Sequence, residues 1–369
     1  MQEKVIRERR ERLFSWAQER GIKTLWVTMP PNRTYLSNYT PEDGPYGESS
    51  GWLLFSSEEG YLLTDNRYTL EAEKEAVGVS VVGEANLWKA LDKIIGRLDL
   101  SHIGYEENYV TVGQLNRLME RIRREGKEPK LSPIDEFLSS LREVKDPYEL
   151  EIIRVGAEIL SRIMEELEGH IRIGVSERYL ANKVREIATE FGAEELSFPP
   201  IVASGPNSAL PHARPTDRVI RENEPVLVDI GIRYMSYMTD MTRTFFPGGP
   251  KEEFRTIYRA VREAQEMAIE ALYEGMEGKE ADSLIREYLV KEGFGEYFSH
   301  GLGHGVGLSV HEAPRLGPNS NDRLKSHSIV TVEPGLYIPN KGGVRLEDML
   351  VLRNGKAELL TRGVSKYEF

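Results

Sequence analysis

Four acids and one histidine in the C-terminal half of the chain carry most of its potential chemistry: Asp229, Asp240, His304, Glu333 and Glu347. Each lies in a stretch whose composition predicts a strand or a glycine-rich turn. A carboxylate among apolar neighbours needs a neutralising partner, and a metal ion is one such partner. One such acid alone would suggest an exposed or salt-bridged residue. Five together predict the ligand set of a two-metal hydrolase.

Alternation along two predicted strands brings the aspartates together. In Val226–Ile232 the β-branched residues share one face, and Asp229 lies on the other. A second strand, Thr239–Phe246, places Asp240 on the face of its threonines. The residues between them, 233–238, are few enough for a hairpin. An antiparallel pair would therefore bring the two aspartates close.

The two glutamates lie in a third and a fourth predicted strand. Ile329–Glu333 runs into a Pro-Gly pair, which should bend the chain and leave Glu333 at the strand end. The strand Gly343–Leu352 carries Arg345 and Glu347 on one face, two residues apart. A cation could hold a substrate anion there, beside a metal ligand.

Histidines are concentrated in the same half of the chain. Four glycines among seven residues of the run around His304 make a helix unfavourable there but allow tight turns. In an extended conformation His300 and His304 would share a face. Four of the seven histidines lie in segments that also carry proline, glycine or acidic residues: His212, His300, His304 and His311. This concentration favours a functional role over isolated surface or core histidines.

Composition excludes several classes of protein. A chain of 369 residues, 40% hydrophobic, predicts a globular protein of two domains. It has no cysteine, so disulfides, thiolate ligands and a cysteine nucleophile are excluded, and a net charge of -12 argues against nucleic acid. The charged amphipathic start and the absence of a run of about 20 apolar residues predict a cytoplasmic location without membrane contact.

The first part of the chain alternates helical and strand patterns, which predicts a small α/β domain at residues 1–135. A helix is predicted over Val5–Glu19, followed by strands Lys23–Thr28, Gly51–Phe55 and Gly60–Thr64. The run Asp146-Pro147-Tyr148-Glu149 has the N-cap, the N1 proline and the N3 acid of a helix start.

The second domain is predicted to cover residues 136–369. Helical periodicity occurs in 147–167, 177–191, 252–273 and 279–292, and the strands described above lie between and after these helices. Mostly antiparallel strands without regular βαβ alternation indicate an α+β class.

Six segments of the second domain resemble the pita-bread metallopeptidases, and within them the Xaa-Pro peptidases, aminopeptidase P and prolidase. These segments are Leu210–Ala213, Val228–Gly231, Thr239–Thr244, His300–Leu308, Val332–Gly335 and Gly343–Asp348. The first domain is similar to the creatinase-like α/β domain of that family, with Leu63–Tyr68 as the matching segment. The resemblance implies a pita-bread catalytic domain preceded by a smaller creatinase-like domain.

The resemblance also implies a role for each site residue. One metal is bound by Asp229, the other by His304 and Glu333, and both are bridged by Asp240 and Glu347. Three histidines would contact the substrate or support the ligands, namely His212, His300 and His311. Arg345 would support the site beside Glu347, and Tyr337 matches an active-site tyrosine of the aminopeptidase P branch.

The implied reaction is hydrolysis of the peptide bond that precedes proline. Four carboxylates balance two divalent cations, and oxygen ligands with one imidazole and no sulfur favour Mn or Co, with Fe or Zn as alternatives. Two such cations acidify a water and polarise a carbonyl. Glu333 is the expected proton shuttle to the proline nitrogen. Because an Xaa-Pro amide has no N–H, peptidases that need this donor fail on it.

Several alternatives share parts of this pattern. The match at Asp65–Tyr68 favours an Xaa-Pro aminopeptidase over a prolidase restricted to dipeptides. Methionine aminopeptidase has the same five ligands but lacks the large first domain, and creatinase lacks the ligands. A non-catalytic peptide-binding or histone-binding domain would require their loss. A homodimer is implied by the resemblance alone.

Two segments depart from the family pattern. A glycine usually precedes the strand that leads to Glu333, whereas this chain has Lys325-Ser326-His327-Ser328. The loop Pro41–Ser50 is longer than usual. It could reach the active site of a partner subunit, although a surface loop is the favoured interpretation.

Overall fold

The computed structural model describes residues 2–44, 48–56, 59–364 and 367. The chain divides into two compact units, Met1–Arg142 and Glu143–Phe369. Within the described ranges no helix is both long enough and apolar enough to cross a membrane.

The first unit is built on a six-stranded mixed sheet of order β4-β3-β2-β1-β5-β6. Its strands are β1 Thr24–Val27, β2 Gly51–Phe55, β3 Gly60–Asp65, β4 Ser80–Glu84, β5 His102–Tyr105 and β6 Lys130–Pro133. Its helices are α1 Gln2–Glu19, α2 Pro30–Ser37, α3 Thr69–Glu75, α4 Leu87–Ile94, α5 Val112–Arg124 and α6 Asp135–Glu143. The predicted first helix and the three predicted strands are confirmed.

Helix α6 packs with the first unit, although the sequence suggested a division between residues 135 and 136. Leu138 and Leu141 are buried. The Tyr35 hydroxyl donates to the carbonyl of Leu141 at 3.0 Å, and Arg142 Nη1 donates to Asn32 Oδ1 at 2.8 Å. These contacts explain why the first unit extends to Arg142.

A buried arginine holds the two ends of the loop Pro41–Ser50. Arg33 is 0% exposed and donates to the Pro41 carbonyl at 2.9 Å, to Ser50 Oγ at 2.7 Å and to Asp43 Oδ1 at 2.8 Å. Residues 45–47, at the centre of this loop, lie outside the described residues. Its suggested reach to a partner subunit stays a prediction.

The second unit contains two pairs of helices, α7 Pro147–Glu168 with α8 Glu177–Glu190, and α9 Glu252–Ala271 with α10 Gly278–Lys291. The predicted start of α7 is confirmed. Asp146 accepts hydrogen bonds from the backbone of Tyr148 and Glu149, and the Glu149 side chain accepts from the backbone of Asp146.

Each helix pair covers an antiparallel sheet and closes a separate apolar core. The first sheet has the order β12-β9-β8 and the second β14-β13-β15-β18-β19, with the small sheets β11-β10-β7 and β16-β17 beside them. The strands are β7 Glu195–Leu196, β8 Ile201–Ser204, β9 Val226–Ile230, β10 Ile232–Tyr234, β11 Tyr237–Met238, β12 Met241–Phe245, β13 Gly303–Gly305, β14 Glu312–Leu316, β15 Ile329–Val332, β16 Gly335–Ile338, β17 Gly342–Arg345, β18 Asp348–Arg353 and β19 Lys356–Leu359. The predicted α+β class is confirmed.

Two predicted strands are interrupted. Strand β9 ends at Ile230 because the carbonyl of Thr239 approaches Gly231 so closely that a β-carbon there would collide with it. The following residues form their own hairpin, β10 with β11. The predicted continuous strand Gly343–Leu352 is also wrong, since it separates into β17 and β18 around Leu346 and Glu347.

Residues 325–328, which lack the glycine that is usual at this place in the family, still form the turn that a glycine would make. His327 adopts the left-handed conformation, with φ of 65°. Its N–H donates to the carbonyl of Leu352 at 2.7 Å, and its carbonyl accepts from the N–H of Lys145 at 3.1 Å. A residue with a β-carbon is strained in this conformation, whereas glycine is not.

Replacing His327 with glycine should stabilise the protein by about 0.5–1 kcal/mol, because it relieves this strain. Asn340→Gly is the matched control, since Asn340 has φ of 64° and asparagine tolerates that region. The free energy of unfolding, measured by denaturant titration of the metal-free protein, checks this. A His327→Gly variant no more stable than wild type would contradict the strain.

Candidate metal centre

Nine of the ten residues predicted for the site, all except Tyr337, line a single cavity of about 910 Å³ in the second unit. They are the five predicted ligands, Asp229, Asp240, His304, Glu333 and Glu347, together with His212, His300, His311 and Arg345. Residues that lie up to 135 positions apart in the chain, from His212 to Glu347, therefore meet at one place.

Pairing of β9 with β12 brings the two aspartates together. The strands are antiparallel, with Thr242 opposite Asp229 and Met241 opposite Ile230, so Asp240 lies directly before β12. The alternate residues of β9 pack in the apolar core, as predicted: Val226, Val228 and Ile230. The predicted alternation is confirmed, and Asp229 faces away from that core.

His304 and Glu333 approach the same point from the second sheet. The N–H of His304 donates to Thr331 Oγ1 at 3.1 Å, and that hydroxyl donates to Glu333 Oε1 at 3.5 Å. Nε2 of His304 lies 3.4 Å from Glu333 Oε1 and 3.9 Å from Asp240 Oδ2. Glu333 follows the last residue of β15, as predicted.

The imidazole of His304 is neutral and offers Nε2 as a ligand. Burial, together with the nearby His311, lowers the pKa of His304 to about 3. Nδ1 lies 3.1 Å from the carbonyl of Gly305, so a proton on Nδ1 satisfies this acceptor and leaves the lone pair of Nε2 facing the acids. The contacts of Nε2 with the carboxylates are therefore not ion pairs.

Glu347 reaches the site because the chain between β17 and β18 is bound to β12. Its N–H donates to the carbonyl of Thr242 at 3.1 Å, and the hydroxyl of Thr242 donates to Glu347 Oε2 at 2.7 Å. Ligand atoms of Asp240, His304 and Glu347 lie within 4.8 Å of one another. A single cation can contact all three.

The cluster holds more negative charge than its surroundings neutralise. Burial raises the pKa of Asp240 and of Glu347 well above the usual range, and the neighbouring carboxylates raise both further. Burial raises the pKa of Glu333 to about 8. Three buried oxygens of this cluster have no hydrogen-bond partner among the described residues, namely Asp229 Oδ1, Asp240 Oδ1 and Glu347 Oε1. Divalent cations fit this donor set, because carboxylate oxygens and an imidazole are good ligands for them.

Arg345 connects Asp229 to the rest of the site. Its Nη2 donates to Asp229 Oδ2 at 2.5 Å, its Nε to Thr242 Oγ1 at 3.1 Å, and its Nη1 to the hydroxyl of Tyr337 at 2.7 Å. The same hydroxyl lies 2.9 Å from Nε2 of His300. Burial raises the pKa of Tyr337 to about 12 and lowers that of His300 to about 4, so both are neutral near pH 7.

The remaining two histidines lie at the solvent-exposed side of the cavity. His212 and His311 are both exposed and line it. The His311 ring centroid lies 4.2 Å from that of His304, with the planes at 83°. Both imidazoles are therefore accessible to a substrate that enters the cavity.

Sequence reasoning missed Arg315, which also lines the cavity. Arg315 on β14 is the direct partner of His304 on β13, so their side chains lie on the same face of the sheet. The register shifts by a bulge between His304 and Gly305. A pattern of residue types does not reveal such a bulge. The spacing of four residues between His311 and Arg315 also gives no indication that Arg315 lies in the site.

Comparison with known proteins identifies both units. Residues 151–354 match the model of metallopeptidase family M24, and residues 9–144 match that of the creatinase/prolidase N-terminal domain. The Xaa-Pro dipeptidase of Pyrococcus furiosus is 35% identical over 359 residues, covering 97% of this chain and 98% of that protein.

Two solved structures share the whole architecture. The Xaa-Pro dipeptidase from Bacillus anthracis has a TM-score of 0.88 at 34% identity, covering 98% of both chains. The X-Pro aminopeptidase from Thermotoga maritima has a TM-score of 0.88 at 33% identity, covering 97% of this chain and 98% of that one. The chain therefore belongs to metallopeptidase family M24, in the pita-bread branch that these Xaa-Pro peptidases represent.

Proposed function

We propose that the cluster binds two divalent cations, manganese or cobalt, with Fe and Zn as weaker candidates. Asp229 would hold one ion, His304 and Glu333 would hold the other, and Asp240 and Glu347 would be shared by both. The unpartnered oxygens of Asp229, Asp240 and Glu347 support this assignment, as does the short spacing of the Asp240, His304 and Glu347 donor atoms. Oxygen ligands with one imidazole and no thiolate favour these metals.

The protein's own groups handle the proton in the proposed hydrolysis. When bound, the cations supply an acidified water and polarise the scissile carbonyl. Glu333, beside Thr331 and His304, takes up the proton and passes it to the leaving nitrogen. A pKa raised to about 8 in the metal-free site shows that this carboxyl holds a proton near neutral pH. His300 and His311 line the cavity as polar contacts for the substrate.

The substrate we propose is an Xaa-Pro dipeptide, and Arg315 is the observation that supports it. A dipeptide places its terminal carboxylate one residue beyond the scissile bond, whereas a longer peptide has a neutral amide there. A cation beside the metal ligands can distinguish the two. Arg315, opposite His304 across the strands, is such a cation.

The other arginines of the cavity are less suited to this role. Arg345 is buried and already binds Asp229, Thr242 and Tyr337. Arg214 lines the cavity but lies on the segment beyond His212, outside the sheet that carries His304. Among the described arginines that line the cavity, Arg315 is the one that strand pairing places opposite a proposed ligand, His304.

The relatives support the same choice and reverse the preference for an aminopeptidase. Two Pyrococcus relatives are named Xaa-Pro dipeptidases, at 35% and 32% identity. The preference for aminopeptidase P rested on Asp65–Tyr68. In the structure Asp65 accepts hydrogen bonds from the backbone and guanidinium of Arg67, so these residues serve a local turn.

An Xaa-Pro aminopeptidase acting on longer peptides is the second candidate. A further concavity of about 490 Å³ adjoins the site and shares Arg315, Gly317 and Pro318 with it. Asn319 and Asn321 line this concavity and offer amides that suit a peptide backbone. The similarity to the Thermotoga maritima aminopeptidase fits this candidate equally well.

The homodimer and the cytoplasmic location stay predictions from the sequence. Neither is needed for the chemistry proposed here. All five proposed ligands come from one chain.

Replacing Arg315 with methionine should separate the two candidates. The manganese-loaded wild type should cleave Ala-Pro faster than Ala-Pro amide or Ala-Pro-Gly. In Arg315→Met, kcat/KM for Ala-Pro should fall by about 10- to 100-fold, because a hydrogen bond between charged groups contributes about 1.5–3 kcal/mol. The other two substrates, which lack this carboxylate, should change by less than about threefold.

Arg214→Met is the control for a general loss of positive charge, and it should leave the substrate preference unchanged. If kcat/KM fell equally for all three substrates in Arg315→Met, this would contradict the proposal that the substrate is a dipeptide. A wild type that prefers Ala-Pro-Gly would favour the aminopeptidase instead. Cleavage of Met-initiated peptides without any Xaa-Pro cleavage would reject both.

Metal binding should release protons at neutral pH. The pKa of Glu333 is raised to about 8, so this carboxyl holds a proton at pH 7 in the metal-free protein, and burial raises the pKa of Asp240 and of Glu347 in the same direction. A cation displaces such protons. Calorimetric Mn²⁺ titration in buffers of different ionisation enthalpy should show net proton release at pH 7 that decreases by pH 9. Release that is absent at pH 7 would contradict the raised pKa values, and Glu333→Gln should release less than wild type.

A further inference from the structure

Within the second unit, a buried ion pair lies behind the loop that carries His311. Lys145 Nζ donates to Glu312 Oε1 at 2.8 Å, and the two side chains are 1% and 6% exposed. Lys145 precedes helix α7, whereas Glu312 is the first residue of β14. The pair therefore ties the start of the unit to the hairpin that forms one wall of the cavity.

Glu312 supports this loop from inside. The loop, residues 306–311, connects β13 to β14, with Gly305 opposite Glu312 where the pairing shifts register. The second oxygen of Glu312 accepts from the N–H of Ser309 at 3.4 Å. A β-carbon at Gly307 would collide with the carboxylate, so Glu312 fills the space beneath the backbone of the loop.

The backbone of the loop is also hydrogen-bonded to strand β11 of the small sheet β11-β10-β7. The N–H of Met238 donates to the carbonyl of Gly307 at 2.7 Å. Val306 and Leu308 are buried, whereas His311, at the end of the loop, is exposed in the cavity. The position of the His311 imidazole over His304 therefore depends on a loop backbone whose interior contact is the Glu312 carboxylate.

We propose that Lys145 is a positioning residue for His311, acting through Glu312 and the loop 306–311. A carboxylate that is nearly inaccessible to water needs a fixed cation to remain ionised in place. Without Lys145 the carboxylate would turn toward solvent, the loop would lose its interior support, and His311 would leave its place beside His304. This inference rests on the proposed function only where it assigns His311 a substrate contact.

Lys145→Met keeps the length of the side chain and removes its charge. Hydrogen exchange of the metal-free protein should show faster exchange in the peptide covering residues 306–311, with other segments unchanged. On Ala-Pro, kcat/KM should fall by about 10- to 100-fold at a temperature where the variant is fully folded, since a displacement of about 1 Å can cost 100-fold. Manganese content should stay at the wild-type value.

Lys325→Met is the matched control. Lys325 Nζ pairs with Glu143 Oε2 at 2.5 Å, so it also forms an ion pair with the residues before α7, but from the turn before β15 rather than from the end of the loop 306–311. It should leave exchange at 306–311 and kcat/KM unchanged. The double variant Lys145→Met with Glu312→Gln should recover part of the lost activity, because no unpaired charge remains.

Wild-type exchange at 306–311 in Lys145→Met would overturn the proposal whatever the substrate proves to be. A fall in thermal stability with normal kcat and normal loop exchange would also overturn it, because Lys145 would then be merely structural. If the wild type cleaves no Xaa-Pro bond, the proposed function fails, and the exchange measurement still decides the role of Lys145.

Discussion

Buried negative charge is the constraint on which the second unit depends. Asp240 and Glu347 are 4% and 2% exposed, and burial together with neighbouring carboxylates raises the pKa of both. Arg345 compensates Asp229 but leaves buried oxygens without partners on three acids of the described cluster. Leaving buried charge unpaired is costly, so the unit must either hold protons there or bind cations. The raised pKa values and the proposed metal binding are two consequences of this constraint.

The fold gathers this charge from two sheets with separate cores. Strands β9 and β12 supply the aspartates, and β13 and β15 supply His304 and Glu333. Thr242 joins the halves, because its carbonyl accepts from the backbone of Glu347 and its hydroxyl bonds the Glu347 side chain. Each sheet buries its apolar face against its own helices, so the polar faces are free to meet. The free energy gained by burying the two apolar cores thus offsets the electrostatic repulsion among the clustered carboxylates.

Much of the site could be predicted from residue types and alternation. The two-residue period places Asp229 and Asp240 opposite the core, and the Pro-Gly pair leaves Glu333 at a strand end, as the structure has them. The aspartates were predicted to meet through a simple hairpin, whereas residues 232–238 form a hairpin of their own. The backbone break at Leu346–Glu347 could not be predicted, because it depends on the hydrogen bond to Thr242 from a distant strand.

Other features depend on tertiary contacts that a local pattern does not contain. Arg315 faces the cavity because β14 pairs with β13 so that Arg315 lies opposite His304. The residue type of Glu312, next in sequence to His311, predicts an exposed side chain. In the structure this side chain is buried in an ion pair with a lysine 167 positions away. His327, in the segment where the family usually has a glycine, adopts a left-handed backbone conformation. In each case a contact across the fold overrides what the neighbouring residues favour.

The cluster of acids in the second unit is proposed to hold two cations. Crystals grown with manganese, with diffraction recorded at a wavelength where manganese scatters anomalously, would locate those cations. Two anomalous peaks are expected, both flanked by Asp240 and Glu347, with Asp229 beside one and His304 and Glu333 beside the other. A single peak, or peaks that do not lie between Asp240 and Glu347, would contradict this proposal.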